Sequence, residues 1–219
     1  EDHELTKDLY AELSTSEVAV KLRSAANTSP GADRVEYAHL KKVDPKGNIL
    51  ALIFNRCLQK KNVPPAWKEA LTVLIYKKGD DSDVSNFRPI ALMSCIYKLL
   101  MGIFAKHITR WSIDAGILSD EQKSARPSEG CYEHTYVMKA LVGQARRNKK
   151  KLKVAWLDIP NAFGSVPHAT IRATLRHIGV PPSLVSFIMN AYSGASTVVR
   201  TPVGDTEPIL IAAGVKQGC

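Results

Sequence analysis

The chain has 219 residues, enough for one good core or two small lobes sharing one, with 45% hydrophobic residues and 30 Lys and Arg against 21 Asp and Glu. The resulting formal charge of +9 favours a polyanionic partner, nucleic acid or an acidic membrane surface. No apolar run is long enough for a membrane helix, and the polar, acidic start EDHELTKDLY is no signal peptide.

Taken in chain order, Ser14 and Glu17 predict a capping box on a helix over 15–26. Pro30-Gly31 marks a turn, with a helix restarting near Asp33. Apolar residues at helical period, Ile49, Leu50, Ile53, Phe54, Cys57 and Leu58, predict a helix over 46–61 that Val63-Pro64-Pro65 ends. LTVLIYKK (71–78), the polar GDDSDVS (79–85) and NFRPIAL (86–92) predict a β-hairpin with a long tip. Helices follow over 94–111 and 133–148, then a basic run, 146–151, read as a solvated turn. VAWLDI (154–159) predicts a buried strand. Two helices, 168–178 and 181–193, precede two strands, 196–202 and 207–212, joined at Gly204-Asp205. The expected fold class is α+β, helices packed on a small antiparallel sheet.

Four cysteines, Cys57, Cys95, Cys131 and Cys219, are scattered without metal-binding spacing, so no zinc site is expected, and they suit a reducing compartment, nucleus or cytoplasm. Asp158 ends an apolar run, where a carboxylate is costly to bury without a metal or partner; from the residues alone, an exposed strand end or an N-cap for the following turn is the better reading. Lys77, Lys78 and Arg88 flank the hairpin loop, where they could grip a triphosphate or keep an edge strand solvated. Gln217 and Gly218 stand in a loop where backbone could approach a ligand.

The order of these segments resembles the reverse-transcriptase domain of non-LTR (LINE-type) retrotransposons, over about residues 15–219. TSPGADRVEY is similar to the N-terminal extension motif. FNRCLQKKNVPPAWKEALTVLIYKKGD and NFRPIALMSCIYKLL resemble the first two fingers motifs, VAWLDIPNAFGSVPH resembles palm motif A, and AAGVKQGC the start of motif B. The resemblance implies right-hand polymerase fingers and a partial palm: extension helices over 1–27, fingers over 28–152 and partial palm over 153–219. It also implies an RNA-directed DNA polymerase that uses an RNA template, a DNA primer, deoxynucleoside triphosphates and two Mg²⁺ ions. By the same resemblance Asp158 is a catalytic metal ligand, the backbone near Ile159 approaches the triphosphate, and Phe163 lies beneath the incoming sugar. Lys77 or Lys78 with Arg88 would bind phosphates, and Gln217 and Gly218 would lie against nucleotide and template.

Gly164 departs from the family's usual Asp, and Ser124-Ala125 from its Gly-aromatic pair. The family's second catalytic motif, an aromatic-x-Asp-Asp turn, lies beyond motif B, so these 219 residues alone are expected to be inactive. A group II intron-type reverse transcriptase and a non-catalytic, domesticated nucleic-acid-binding module are the alternative readings.

Overall fold

The computed structural model describes residues 8–124, 126 and 128–216. Gln217 and Gly218 lie outside them. The chain divides into two compact units, a larger one of residues 1–107 and 161–219 and a smaller one of residues 108–160.

The larger unit opens with α1 (Thr15–Ser24). Ser14 caps it as expected, its hydroxyl accepting from the Glu17 N–H. The reciprocal half of the capping box is missing, because the Glu17 carboxylate turns to the His107 ring. The next helix, α2 (Tyr37–Val43), begins four residues later than the restart expected near Asp33. Asp33 instead accepts the Val35 N–H and closes a turn, the local bond that draws Asp out of helix interiors. Helix α3 (Asn48–Lys60) buries Leu50, Ala51, Phe54, Cys57 and Leu58 along one face. Buried Asp44 caps its start, with one carboxylate oxygen on the Asn48 N–H (2.9 Å) and the other on the Leu50 N–H (2.8 Å).

Strands β1 (Glu69–Tyr76) and β2 (Phe87–Leu92) form the expected antiparallel hairpin, in register from Leu71–Leu92 to Tyr76–Phe87. Helix α4 (Cys95–Asp114) follows and runs on into the smaller unit. In the core Phe104 packs on Phe187, ring centroids 5.5 Å apart, and Val18, Leu22, Phe54, Leu99, Leu100 and Leu184 are fully buried.

In the smaller unit, α5 (Gly130–Arg147) has no fully buried residue. The Lys123 ammonium meets the Glu133 carboxylate at 2.7 Å and holds that carboxyl below its ordinary range. The basic run 146–151 is exposed throughout, but Arg146 and Arg147 end α5 and only the residues after them turn away from it. VAWLDI corrects the sequence reading: residues 154–159 form no strand, and Trp156 and Leu157 are 83% and 96% exposed. A strand exists only through a hydrogen-bonded neighbour, and no described strand pairs with this segment.

Back in the larger unit, a four-residue helix, α6 (Ala162–Ser165), leads to α7 (His168–His177) and α8 (Pro182–Tyr192). Strand β3 (Ser196–Thr201) turns into β4 (Gly204–Asp205), and β5 (Ile209–Leu210) returns along the same edge of β3. The turn therefore falls before Gly204-Asp205, whose residues pair with Thr201 and Arg200. Arg200 clamps Asp205 through two hydrogen bonds, 3.2 and 3.3 Å. The strand order is β2-β1-β3-β4. The mixed α and β class stands, with one correction to the sheet: β1 and β3 run parallel, Glu69–Ser196 to Val73–Arg200. A connection of more than a hundred residues between them permits that parallel pairing, which a hairpin loop cannot make.

Candidate nucleotide-binding site

The hairpin carries the first set of expected site residues. Side chains alternate along a strand, and Ile75 lies opposite Arg88. Lys77, two residues beyond Ile75 and held to Asn86 by a backbone bond of 2.9 Å, therefore shares the face of Arg88. Lys78 lies beyond the end of β1, in a bend at the start of the loop. All three cations are exposed, and among the described residues their side chains form no ion pair.

The loop between the strands is stiffened locally. Asp80 accepts the Ser82 N–H and hydroxyl, Asp83 accepts those of Ser85, and the Tyr76 hydroxyl donates to the Gly79 carbonyl. These bonds hold both carboxyls below the ordinary aspartate range. Asp80 and Asp83 are thereby engaged with the loop itself rather than with Lys77 or Arg88.

The second set lies where residues 161–168 meet residues 213–215. Asn161, left-handed at φ 51°, starts α6, which carries Phe163 with its ring 57% exposed. Three backbone contacts fasten this turn to the segment that begins motif B. The Gly214 N–H donates to the Val166 carbonyl and the Val215 N–H to the Phe163 carbonyl, each at 2.7 Å, while Pro167 bridges Ala213. Gly214 has φ +85°, and a Cβ on it would come within 2.7–2.9 Å of the Gly164 backbone. Backbone lies on backbone here, so no side chain fits between. Gly214→Ala should lower stability by about 2–4 kcal/mol, from left-handed strain plus the displaced Gly164. A shifted urea midpoint at unchanged slope reads it, and a midpoint equal to the parent's refutes this account of the contact.

Lys216 continues past the junction. Its ammonium donates to the Lys68 carbonyl at 2.8 Å and lies 5.9 Å from the Tyr97 ring centroid. The start of motif B is thus tied to the foot of β1 as well as to α6. Burial lowers the ammonium pKa of Lys68, which donates to the Ser193 carbonyl.

Asp158 and Ile159 belong to the smaller unit and are exposed, Ile159 at 70%. An accessible carboxylate is the hard oxygen donor that Mg²⁺ accepts, and Mg²⁺ commonly combines one or two carboxylates with substrate phosphates. Among the described residues no three His, Cys, Asp or Glu side chains cluster as a ready-made metal site. Asp158 is one exposed carboxylate of the kind such an ion takes.

Sequence reasoning missed His168, whose ring reaches the Gly214 carbonyl. The one signal for it was position: it follows Pro167 at the start of a helix, as the last residue of the segment VAWLDIPNAFGSVPH.

Known proteins resemble this chain over most of its length. A family model described as reverse transcriptase (RNA-dependent DNA polymerase) matches residues 75–219. The chain is 30% identical, over 90% of its length, to the retrovirus-related Pol polyprotein from type-2 retrotransposable element R2DM of Drosophila melanogaster, and covers 18% of that protein. It is 28% identical over 95% of its length to the Pol polyprotein of type-1 retrotransposable element R2 of Popillia japonica, covering 28% of it. A probable RNA-directed DNA polymerase from transposon BS of Drosophila melanogaster is 27% identical over 87% of this chain, which spans 21% of that relative. With the family model matched over most of its length, this chain belongs to the reverse transcriptase family, and its relatives are those of non-LTR retrotransposons.

Proposed function

We propose that this chain is the nucleotide- and template-binding part of an RNA-directed DNA polymerase that copies retrotransposon RNA into DNA. The observation that carries the reading is the junction of the Phe163 turn with Gly214 and Val215, which joins two motifs far apart in sequence. Divalent metal ions, nucleic-acid templates and nucleotide substrates are the family's general requirements. In this reading the enzyme uses two Mg²⁺ ions, an RNA template, a DNA primer and deoxynucleoside triphosphates, within the nucleus or cytoplasm. Free thiols at Cys57, Cys95 and Cys131 suit such a compartment, and among the described residues no helix is long and apolar enough to cross a membrane.

Each residue then has a task. Lys77 and Arg88, on one face of the hairpin, draw in the triphosphate and offset charge as the transferred phosphorus crowds. Phe163 supports the sugar from below and fills the space a 2′-OH would need. Asp158 offers its carboxylate to the metal side of the phosphates, and the peptide at Ile159 lines the triphosphate. Gln217 and Gly218 complete the nucleotide contact. Bound divalent metal supplies activation of the primer hydroxyl and charge neutralisation at the phosphates. The fingers and palm follow the boundaries 28–152 and 153–219.

The test is primer extension by the full-length protein that carries this chain, on an RNA template with deoxynucleotides and Mg²⁺. RNA-dependent incorporation is expected. Binding without incorporation would replace the enzyme with a non-catalytic nucleic-acid module. The charge of +9 leads to a second expectation, binding that weakens steeply with salt. Six phosphate contacts would lose about 10³-fold in affinity between 50 and 200 mM salt, measurable by fluorescence anisotropy. Binding indifferent to salt would contradict the electrostatic account.

A further inference from the structure

His168 opens α7, and its ring is held on two sides. One side lies against Tyr192, the last residue of α8, with ring centroids 4.7 Å apart and planes at 42°. On the other, Nε2 stands 3.0 Å from the Gly214 carbonyl oxygen. A carbonyl only accepts, so Nε2 carries the proton and donates.

The Gly214 carbonyl and the Val215 N–H are the two ends of a single peptide unit. That Val215 N–H is the donor to the Phe163 carbonyl at 2.7 Å. Peptide units are planar and rigid, so turning this one would break both bonds together. A continuous relay therefore runs from the His168 ring, through one peptide, to the backbone of Phe163. Each bond in such a chain polarises the next. Gly214 has no side chain to resist rotation, and its φ of +85° lies in a region glycine leaves freely. Without the imidazole, the carbonyl end of the peptide would have no described partner to fix its direction.

We propose that His168 is a positioning residue for nucleotide selection: by holding the Gly214–Val215 peptide it sets the height of the Phe163 ring beneath the sugar. This rests on the reading of Phe163 given under the proposed function. The ring of His168 itself touches no reacting group. Its effect is on how closely Phe163 fits the sugar, and so on sugar discrimination and nucleotide affinity ahead of turnover.

The experiment uses the full-length protein and a matched ribo- and deoxynucleotide pair, with kcat and KM resolved, alongside thermal melting. His168→Phe keeps a ring on Tyr192 and removes the donor. His168→Gln gives up the ring and keeps an amide N–H near the position of Nε2. The expected result for His168→Phe is about a tenfold loss of sugar discrimination, with a raised deoxynucleotide KM, a smaller change in kcat and a melting temperature near the parent's. His168→Gln should recover most of the discrimination. A merely structural histidine would lower both nucleotides' rates alike and leave the ratio unmoved, and that result overturns the proposal. Phe163→Val run in parallel separates the two readings. If it shifts the ratio and His168→Phe does not, the positioning role falls and the Phe163 reading stands. If Phe163→Val leaves the ratio unchanged, both fall.

Discussion

Asp158→Ala in the full-length protein should cut RNA-templated deoxynucleotide incorporation at least about 10³-fold, since a metal-held transition state is worth several kcal/mol and about 4 kcal/mol is a thousandfold. The structure makes this a clean substitution. Asp158 is exposed, and its side chain makes no hydrogen bond or ion pair among the described residues. Removing it takes no support from the fold, and a surface change of this kind stays within about 0.5 kcal/mol of parental stability. Loss of activity with unchanged melting and unchanged RNA binding would therefore mark a chemical role. Incorporation at the parental rate would return Asp158 to an ordinary solvated aspartate. The measurement is single-nucleotide extension at saturating template-primer, with RNA affinity followed separately.

Phe163→Val should raise ribonucleotide use relative to deoxynucleotide use, by as much as about a thousandfold if the ring is the main steric barrier to a 2′-OH. The competing account is that a Phe in an Ala-Phe-Gly stretch is buried packing, in which case truncation costs stability and lowers both activities alike. The ring is 57% exposed, on a helix of four residues, so packing has little hold on it. What holds Phe163 is its backbone, through the carbonyl that accepts from Val215. A side chain free in space on a fixed backbone is suited to meeting a ligand. The ratio of kcat/KM values for a matched nucleotide pair decides the matter, and an unchanged ratio removes Phe163 from the site.

Local pattern made much of this fold readable. Helix α3 announces itself by apolar period and ends at Pro64-Pro65, and the hairpin is framed by β-rich runs around a polar tip. Where the reading failed, the deciding interaction was distant or absent. VAWLDI has the composition of a strand, but strand formation depends on a neighbour that composition does not contain. The turn after β3 was placed late because Gly204 looked like a turn residue; its φ of +129° serves instead to begin β4, with Thr201 Oγ1 donating to the Gly204 carbonyl. The parallel pairing of β1 with β3 left no local trace. Of the candidate site, Asp158, Lys77 and Arg88 were visible as residue types, and the roles proposed for them come only through family resemblance. That Lys77 shares a face with Arg88 needed the register, and the His168 relay needed three-dimensional contact.

The parallel β1–β3 pair also shapes how the chain comes to be folded. Thr72 and Thr197 share a hydrogen bond of 2.7 Å across 125 residues of sequence. Closing a loop of that length costs about 4 kcal/mol of chain entropy before any contact repays it, so this pairing belongs late in folding. On a ribosome adding roughly 5–20 residues each second, β1 would form its hairpin with β2 roughly 5–20 seconds before β3 exists. Throughout that interval the free edge of Ala70, Leu71, Thr72 and Val73 stands open to any other extended chain. The nascent protein is thus most exposed to mispairing midway through its own synthesis, and slow translation across the intervening segment would lengthen the risk.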